Sequence, residues 1–184
     1  MTAATMDKRM GLTLWLTGLP CSGKTTIAIL LKHALEARGH PVELLDGDEL
    51  RRWSEADAGF SREERTRYLR RVAHLCHLLT KHGVMVVAAF VAPYREVRED
   101  VRQRLGSRLI EIYIDTPLDE CIRRDVKGMY KQALAGTITH FTGVSDAYEP
   151  PTNPHMTIQT LGESPQESAQ KILDALPEFV RRRR

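Results

Sequence analysis

Residues 18–25 read Gly18-Leu19-Pro20-Cys21-Ser22-Gly23-Lys24-Thr25, the spacing G-x-x-x-x-G-K-[ST]. An apolar run, Leu12 to Thr17, enters it. A helical pattern, Ile27, Leu30, Leu31, Ala34 and Leu35, leaves it. A glycine-rich turn between a strand and a helix aims several backbone N–H groups and the positive helix end at one point. That arrangement cradles phosphate. In it the lysine reaches the β- and γ-phosphates and the hydroxyl coordinates Mg²⁺. The chain is therefore expected to bind a nucleoside triphosphate through Gly18, Leu19, Pro20, Cys21, Ser22, Gly23, Lys24, Thr25 and Thr26, with Thr25 a metal ligand.

Apolar runs alternate with helical patterns along the rest of the chain. Strands are expected at Leu12–Thr17, Val42–Leu45, Val84–Phe90, Leu109–Ile114 and, more weakly patterned, Met156–Gln159. Helices are expected near Lys24–Ala37, Arg62–Lys81, Arg95–Leu105 and Leu118–Arg124. A last helix starts after Ser164, with Pro165 at its first position and Glu167 closing a capping box. Short continuous apolar strands between helices predict a parallel sheet covered on both faces. The fold class is thus α/β, a P-loop NTPase fold with a five-stranded parallel sheet, in a single domain over 1–184. Residues 125–154 lack a clean period and hold Gly128, Gly136, Gly143, Pro150, Pro151 and Pro154. So long an irregular stretch is usually functional. Its Lys127, Lys131, Phe141 and Tyr148 argue for a lid insertion rather than a linker.

Composition excludes several other readings. The 184 residues are enough for one domain with a sizeable core. The net charge is only +3, and four of the basic residues form the tail Arg181–Arg184, so no basic face suggests nucleic acid. No apolar stretch has the length of a membrane span, and residues 1–10, read as a flexible tail, lack the apolar core of a secretory signal. Cys21, Cys76 and Cys121 are odd in number and widely spaced, which suits a reducing cytoplasm.

The second strand runs into Leu45-Asp46-Gly47-Asp48. Phosphoryl transfer needs a carboxylate to orient metal waters or to take the acceptor's proton. Asp48 is the candidate base and Asp46 the metal or water partner; a helix N-cap is the other role open to Asp48. Arg51, Arg65, Arg70 and Arg71 follow, as bidentate partners for an anionic acceptor or as solvated helix charges. Phe60 and Phe141 are apolar residues in polar loops, fit for core or for stacking on a base. His74 and His77 have a metal-compatible spacing but no companion ligand set, so ordinary surface or core histidines are the expectation.

Together these strings resemble the adenylyl-sulfate (APS) kinase family over Leu14 to about Thr160. The match includes Gly18–Thr26, Leu45-Asp46-Gly47-Asp48, Gly59-Phe60-Ser61, Arg70-Arg71, Pro93-Tyr94-Arg95 and Asp115-Thr116-Pro117-Leu118. It continues through Arg124-Asp125-Val126-Lys127-Gly128-Met129-Tyr130, Phe141-Thr142-Gly143 and Tyr148-Glu149. The resemblance implies ATP- and Mg²⁺-dependent phosphorylation of the 3′-hydroxyl of adenosine 5′-phosphosulfate (APS), giving PAPS in sulfate activation. It implies that Phe60 and Phe141 sandwich the acceptor adenine. Arg51 and Arg65 would hold its phosphosulfate side, and Lys127 would approach the phosphates as the lid closes. Tyr68, Val91, Ala92 and His140 fall in the implied acceptor site, and a homodimer is implied.

The chain departs from the family pattern at Glu49 and Tyr68, where asparagines are usual on the acceptor side. A carboxylate at 49 repels an anionic acceptor unless it points away or pairs with an arginine. Ala92 stands where a serine is usual, so it can form no phosphoserine; Val126 and Ala147 replace prolines. The alternative acceptor is another nucleotide, such as cytidine diphosphoramidate. A nucleotide-driven switch is the reading from a different class, and the absence of an Asn-Lys-x-Asp string argues against a guanine-specific one.

Overall fold

The computed structural model describes residues 11–53 and 59–181. The expected N-terminal tail and Arg182–Arg184 of the basic tail lie outside them. Five strands form one sheet: β1 (Thr13–Thr17), β2 (Val42–Asp46), β3 (Met85–Ala89), β4 (Leu109–Asp115) and β5 (Met156–Gln159). All pair in parallel, in the order β2-β3-β1-β4-β5. Leu14 pairs with Val87 on one side and Ile110 on the other. Seven helices are described: α1 (Lys24–Ala37), α2 (Gly47–Trp53), α3 (Arg62–Lys81), α4 (Arg95–Leu105), α5 (Leu118–Arg124), α6 (Met129–Leu134) and α7 (Pro165–Arg181).

The period of two along each strand divides the core into two layers. Leu14, Leu16, Val87, Ile110 and Ile112 pack on one face with Ile27 and Leu31 of α1 and Ile172 and Leu176 of α7. Trp15, Val86 and Ala88 pack on the other with Leu69, Val72 and Cys76 of α3 and Val97 and Val101 of α4. Burial on both faces explains why the central strands read as unbroken apolar runs. A Cβ on Gly18 would lie 2.5 Å from the carbonyl oxygen of Ile114, so the exit from β1 can pass β4 only as glycine. The capping box at Ser164 forms, with the Glu167 N–H donating to Ser164 Oγ at 3.2 Å and the Ser164 N–H to Glu167 Oε2 at 2.8 Å.

Two short helices were not expected from the sequence. α2 starts directly at the end of β2, with Asp48 in its first turn. α6 lies inside the lid segment, where both Asp125 carboxylate oxygens accept from its first N–H groups, those of Tyr130 (2.9 Å) and Lys131 (3.0 Å). Among the described residues no helix is long and apolar enough to cross a membrane.

Candidate active site

The loops after all five strands leave the sheet at its carboxyl end, where open parallel sheets bind ligands. A cavity of about 1050 Å³ lies there. It runs from the phosphate loop to Phe60, Tyr68, His140 and Phe141, and it takes in Asp46, Asp48, Arg51, Arg65, Val91, Ala92 and Lys127. Glu49 does not line it. On α2 the residues at helical spacing, Asp48, Arg51 and Arg52, do, and Glu49 is exposed beside them. The carboxylate that would repel an anion is thereby turned aside.

Gly23 opens α1 in the left-handed region (φ 101°), which a glycine adopts at little steric cost. The Lys24 ammonium donates to the Leu19 carbonyl at 2.6 Å and to Ser22 Oγ at 3.2 Å. Burial lowers its pKa to about 8, although Asp46 and Asp48 pull partly the other way. Desolvation penalises the ammonium more than these carboxylates repay. Thr25 donates to Asp46 Oδ2 at 2.7 Å, and Asp46 Oδ1 accepts the Asp48 N–H at 2.9 Å. β2 pairs with β3 rather than β1. Asp46 therefore meets the phosphate loop through the first turn of α1 and not through an adjacent strand. Asp48 forms an ion pair with Lys127. Both side chains are more than half exposed, so solvent screens the attraction.

Phe60 is 53 % exposed and borders the cavity. The capping box of α3 fixes the chain just after it: Ser61 accepts from the Glu64 N–H, and Glu64 accepts from the Ser61 N–H at 3.0 Å. Phe141 is buried, edge-on to Tyr130 at 4.9 Å. The Tyr130 hydroxyl donates to the Pro20 carbonyl at 3.2 Å, docking the lid on the phosphate loop.

Arg65 is buried and gives its guanidinium to the protein. It donates to the Phe60 carbonyl (2.8 Å), to Thr142 Oγ1 (2.6 Å) and to the His140 carbonyl, and it lies 3.7 Å from Asp146. Arg65 ties the wall at Phe60 to the wall at Phe141, and with Arg51 it lines the cavity. Arg51 lies over the rings of Phe60 (4.8 Å) and Tyr68 (5.0 Å). Burial raises the Tyr68 hydroxyl to about 12, so it stays protonated at neutral pH.

Two further anchors, Arg98 and Glu111, carry no sequence signature of their own. Arg98 is buried on α4 and donates to the carbonyls of Ala92 and Glu149. Its Nε pairs with the buried Glu111 at 3.3 Å. Burial pushes the Glu111 carboxyl above the usual range despite Arg102 and Arg98 beside it. Thr17 donates to the Val91 carbonyl at 2.7 Å and meets the Tyr148 hydroxyl at 3.0 Å. Tyr94 donates to Asp146 at 2.6 Å, and the Glu149 N–H to the Pro93 carbonyl at 2.8 Å. Together these contacts bind the stem of the lid to the loop after β3. Among the described residues three non-glycines lie in the left-handed region, at φ above about 20°, namely Cys21 (60°), Ala92 (43°) and His140 (55°), and all three line the cavity. Backbone strain of this kind gathers at functional sites. His74 is exposed, 3.0 Å from Arg104, and no cluster of three metal-ligating side chains occurs among the described residues.

Comparison with known proteins agrees with this geometry. The sequence model of the adenylylsulphate kinase family matches residues 10–159. The adenylyl-sulfate kinase of Picosynechococcus sp. is 48% identical over 169 residues, covering 92% of this chain and 95% of the relative. That of Gloeothece citriformis is 46% identical over 172 residues, covering 94% and 97%. Mycobacterium tuberculosis APS kinase CysC, solved in complex with AMPPNP and APS, superposes with a TM-score of 0.87 at 40% identity, covering 91% of this chain and 98% of that one. With its phosphate loop, parallel sheet and lid, the chain belongs to the adenylyl-sulfate kinase family, on a P-loop NTPase fold.

Proposed function

We propose that the protein transfers the γ-phosphoryl group of ATP to the 3′-hydroxyl of APS, giving PAPS and ADP. The observation that carries this reading is the shared cavity, lined by the phosphate loop, by the exposed ring of Phe60 and by Asp48. Phe60 and Phe141 would bracket the acceptor adenine, a contact worth about 1–3 kcal/mol per base. Asp48 would take the proton of the 3′-hydroxyl. The 3′-oxygen of APS then bonds to the γ-phosphorus as the bond from that phosphorus to the β–γ bridging oxygen breaks, and ADP leaves. The backbone N–H groups of the loop and Lys24 hold the departing phosphates. Lys127, paired with Asp48, would move onto the phosphates as the lid excludes water.

Thr25 Oγ1 and the Asp46 carboxylate form a small all-oxygen donor set, 2.7 Å apart. That suits Mg²⁺, which is usually held by one or two protein oxygens plus waters and substrate phosphates. Bound there, Mg²⁺ supplies charge neutralisation at the β- and γ-phosphates. The same family likeness supports a homodimer, which light scattering would measure, and three unpaired thiols fit a reducing cytoplasm.

A coupled ADP assay across a panel of nucleotides tests the acceptor. APS is expected to stimulate ADP release and to yield PAPS. Turnover with a cytidine nucleotide and none with APS would overturn the reading; Tyr68, which lines the cavity where an asparagine is usual, motivates that arm.

Lys24 gives a second test. Its ammonium is the form that binds phosphate, and its pKa is about 8 before phosphate charge raises it. Binding above that pH therefore takes up a proton. ATP affinity is expected to hold up to about pH 8 and then fall, by up to about tenfold per unit. Calorimetry in buffers of different ionisation enthalpy would detect the proton; a flat profile to pH 9.5 or so would show that the shift is absent.

A further inference from the structure

Trp15, Phe90, Tyr68, Arg51 and Phe60 form a continuous column from the sheet to the cavity mouth. Trp15 stacks on Phe90 at 5.3 Å, and Phe90 meets Tyr68 edge-on at 6.2 Å. Arg51 then lies 5.0 Å from the Tyr68 ring and 4.8 Å from the Phe60 ring. The first three members are nearly inaccessible, at 1 %, 3 % and 8 % exposure; the last is 53 % exposed. A half-exposed ring keeps its rotamer freedom unless something holds it. Arg51 is placed to do so, and Tyr68 is the rigid buried surface behind Arg51. The Tyr68 hydroxyl is 3.5 Å from the Gly47 carbonyl, too far for a strong hydrogen bond. The face of the ring is the contact that matters.

We propose that Tyr68 is a positioning residue, acting through Arg51 to fix Phe60 where the acceptor base packs. The proposal rests on the reading that Phe60 faces the acceptor. A guanidinium between two aromatic faces gains attraction on both sides and excludes water from one. It also adds positive charge beside a base platform, which suits a planar ligand carrying an anionic group.

Steady-state kinetics of the full chain test this. Tyr68→Leu is expected to raise the APS KM roughly tenfold, as loss of a desolvated cation–π face would, with the ATP KM within about twofold of wild type. Tyr68→Phe keeps the face and is expected to rescue the APS KM, to within about threefold of wild type. If the column ends at Phe60, adding Tyr68→Leu to Phe60→Leu costs little more than Phe60→Leu alone. Equal changes in both KM values, an unchanged APS KM, or fully additive losses would overturn the proposal. Should Tyr68→Leu not fold, Tyr68→Met carries the same comparison. A wild type that does not use APS refutes the acceptor, not the column. Crystal structures then decide, because a Phe60 ring displaced in the variant supports the proposal and an unmoved ring overturns it.

Discussion

Replacing Asp48 with alanine is expected to reduce turnover by about 10²–10⁴-fold, the usual weight of a general base. ATP affinity should change by less than about threefold, because the phosphate loop, Lys24 and Thr25 are untouched. The split follows from where Asp48 stands. Asp46 meets the donor side through Thr25, whereas Asp48 lines the cavity two residues beyond the strand, joined to Asp46 by its backbone N–H. Asp48→Asn separates charge from shape: it keeps the volume, loses the proton acceptor, and should be as slow as the alanine variant. The pairing with Lys127 has an opposite tendency. Its loss frees the lysine for the phosphates and can only offset the damage. A loss of turnover below tenfold would remove Asp48 from the role of base and leave it as a lid contact.

The second large effect lies away from the chemistry. Glu111→Ala is expected to destabilise the fold by about 3–5 kcal/mol, the cost of leaving a buried charge without its partner. Arg98 and Glu111 are only 4 % and 2 % exposed, so water cannot replace the lost carboxylate. Urea unfolding measures the change; a loss under about 1 kcal/mol would mean that Arg98 finds other compensation. The change should also reach the site, since Arg98 holds the Ala92 and Glu149 carbonyls. Replacing both members with apolar residues of like volume should recover much of the stability, but not the geometry of the loop after β3.

The strands and long helices were legible because burial on two faces writes apolar runs, and one buried stripe writes a helical period. β5 and helices α1, α3, α4 and α5 have the expected bounds, and the other strands differ by a residue at one or both ends. α2 was illegible because it has 7 residues, begins with glycine and follows its strand without a turn. α6, with 6 residues among glycines, is held by the Asp125 carboxylate rather than by any apolar period. Arginine was the harder problem. Arg65, Tyr68, Leu69, Val72 and Cys76 are buried along one stripe of α3, a spacing that could have separated Arg65 from the solvated charges of the helix, although both roles stayed open in the sequence. Arg98 sits beside Val97 on a helix dense in charge. Nothing in the string separates it from its solvated neighbours, because its partners are carbonyls and a carboxylate brought from other elements.

Those carbonyl partners bear on how such a site can change. Ala92 and His140 are left-handed residues, and each offers its carbonyl to a buried arginine. A left-handed turn costs an ordinary residue about 1–2 kcal/mol, and glycine or asparagine much less. A carbonyl has the same chemistry whatever side chain precedes it. The two arginines therefore read the path of the main chain at 92 and 140 and are blind to the identity of either residue. A substitution at either position would leave the arginine contact in place, within what a left-handed backbone and, at the buried Ala92, the packed core allow.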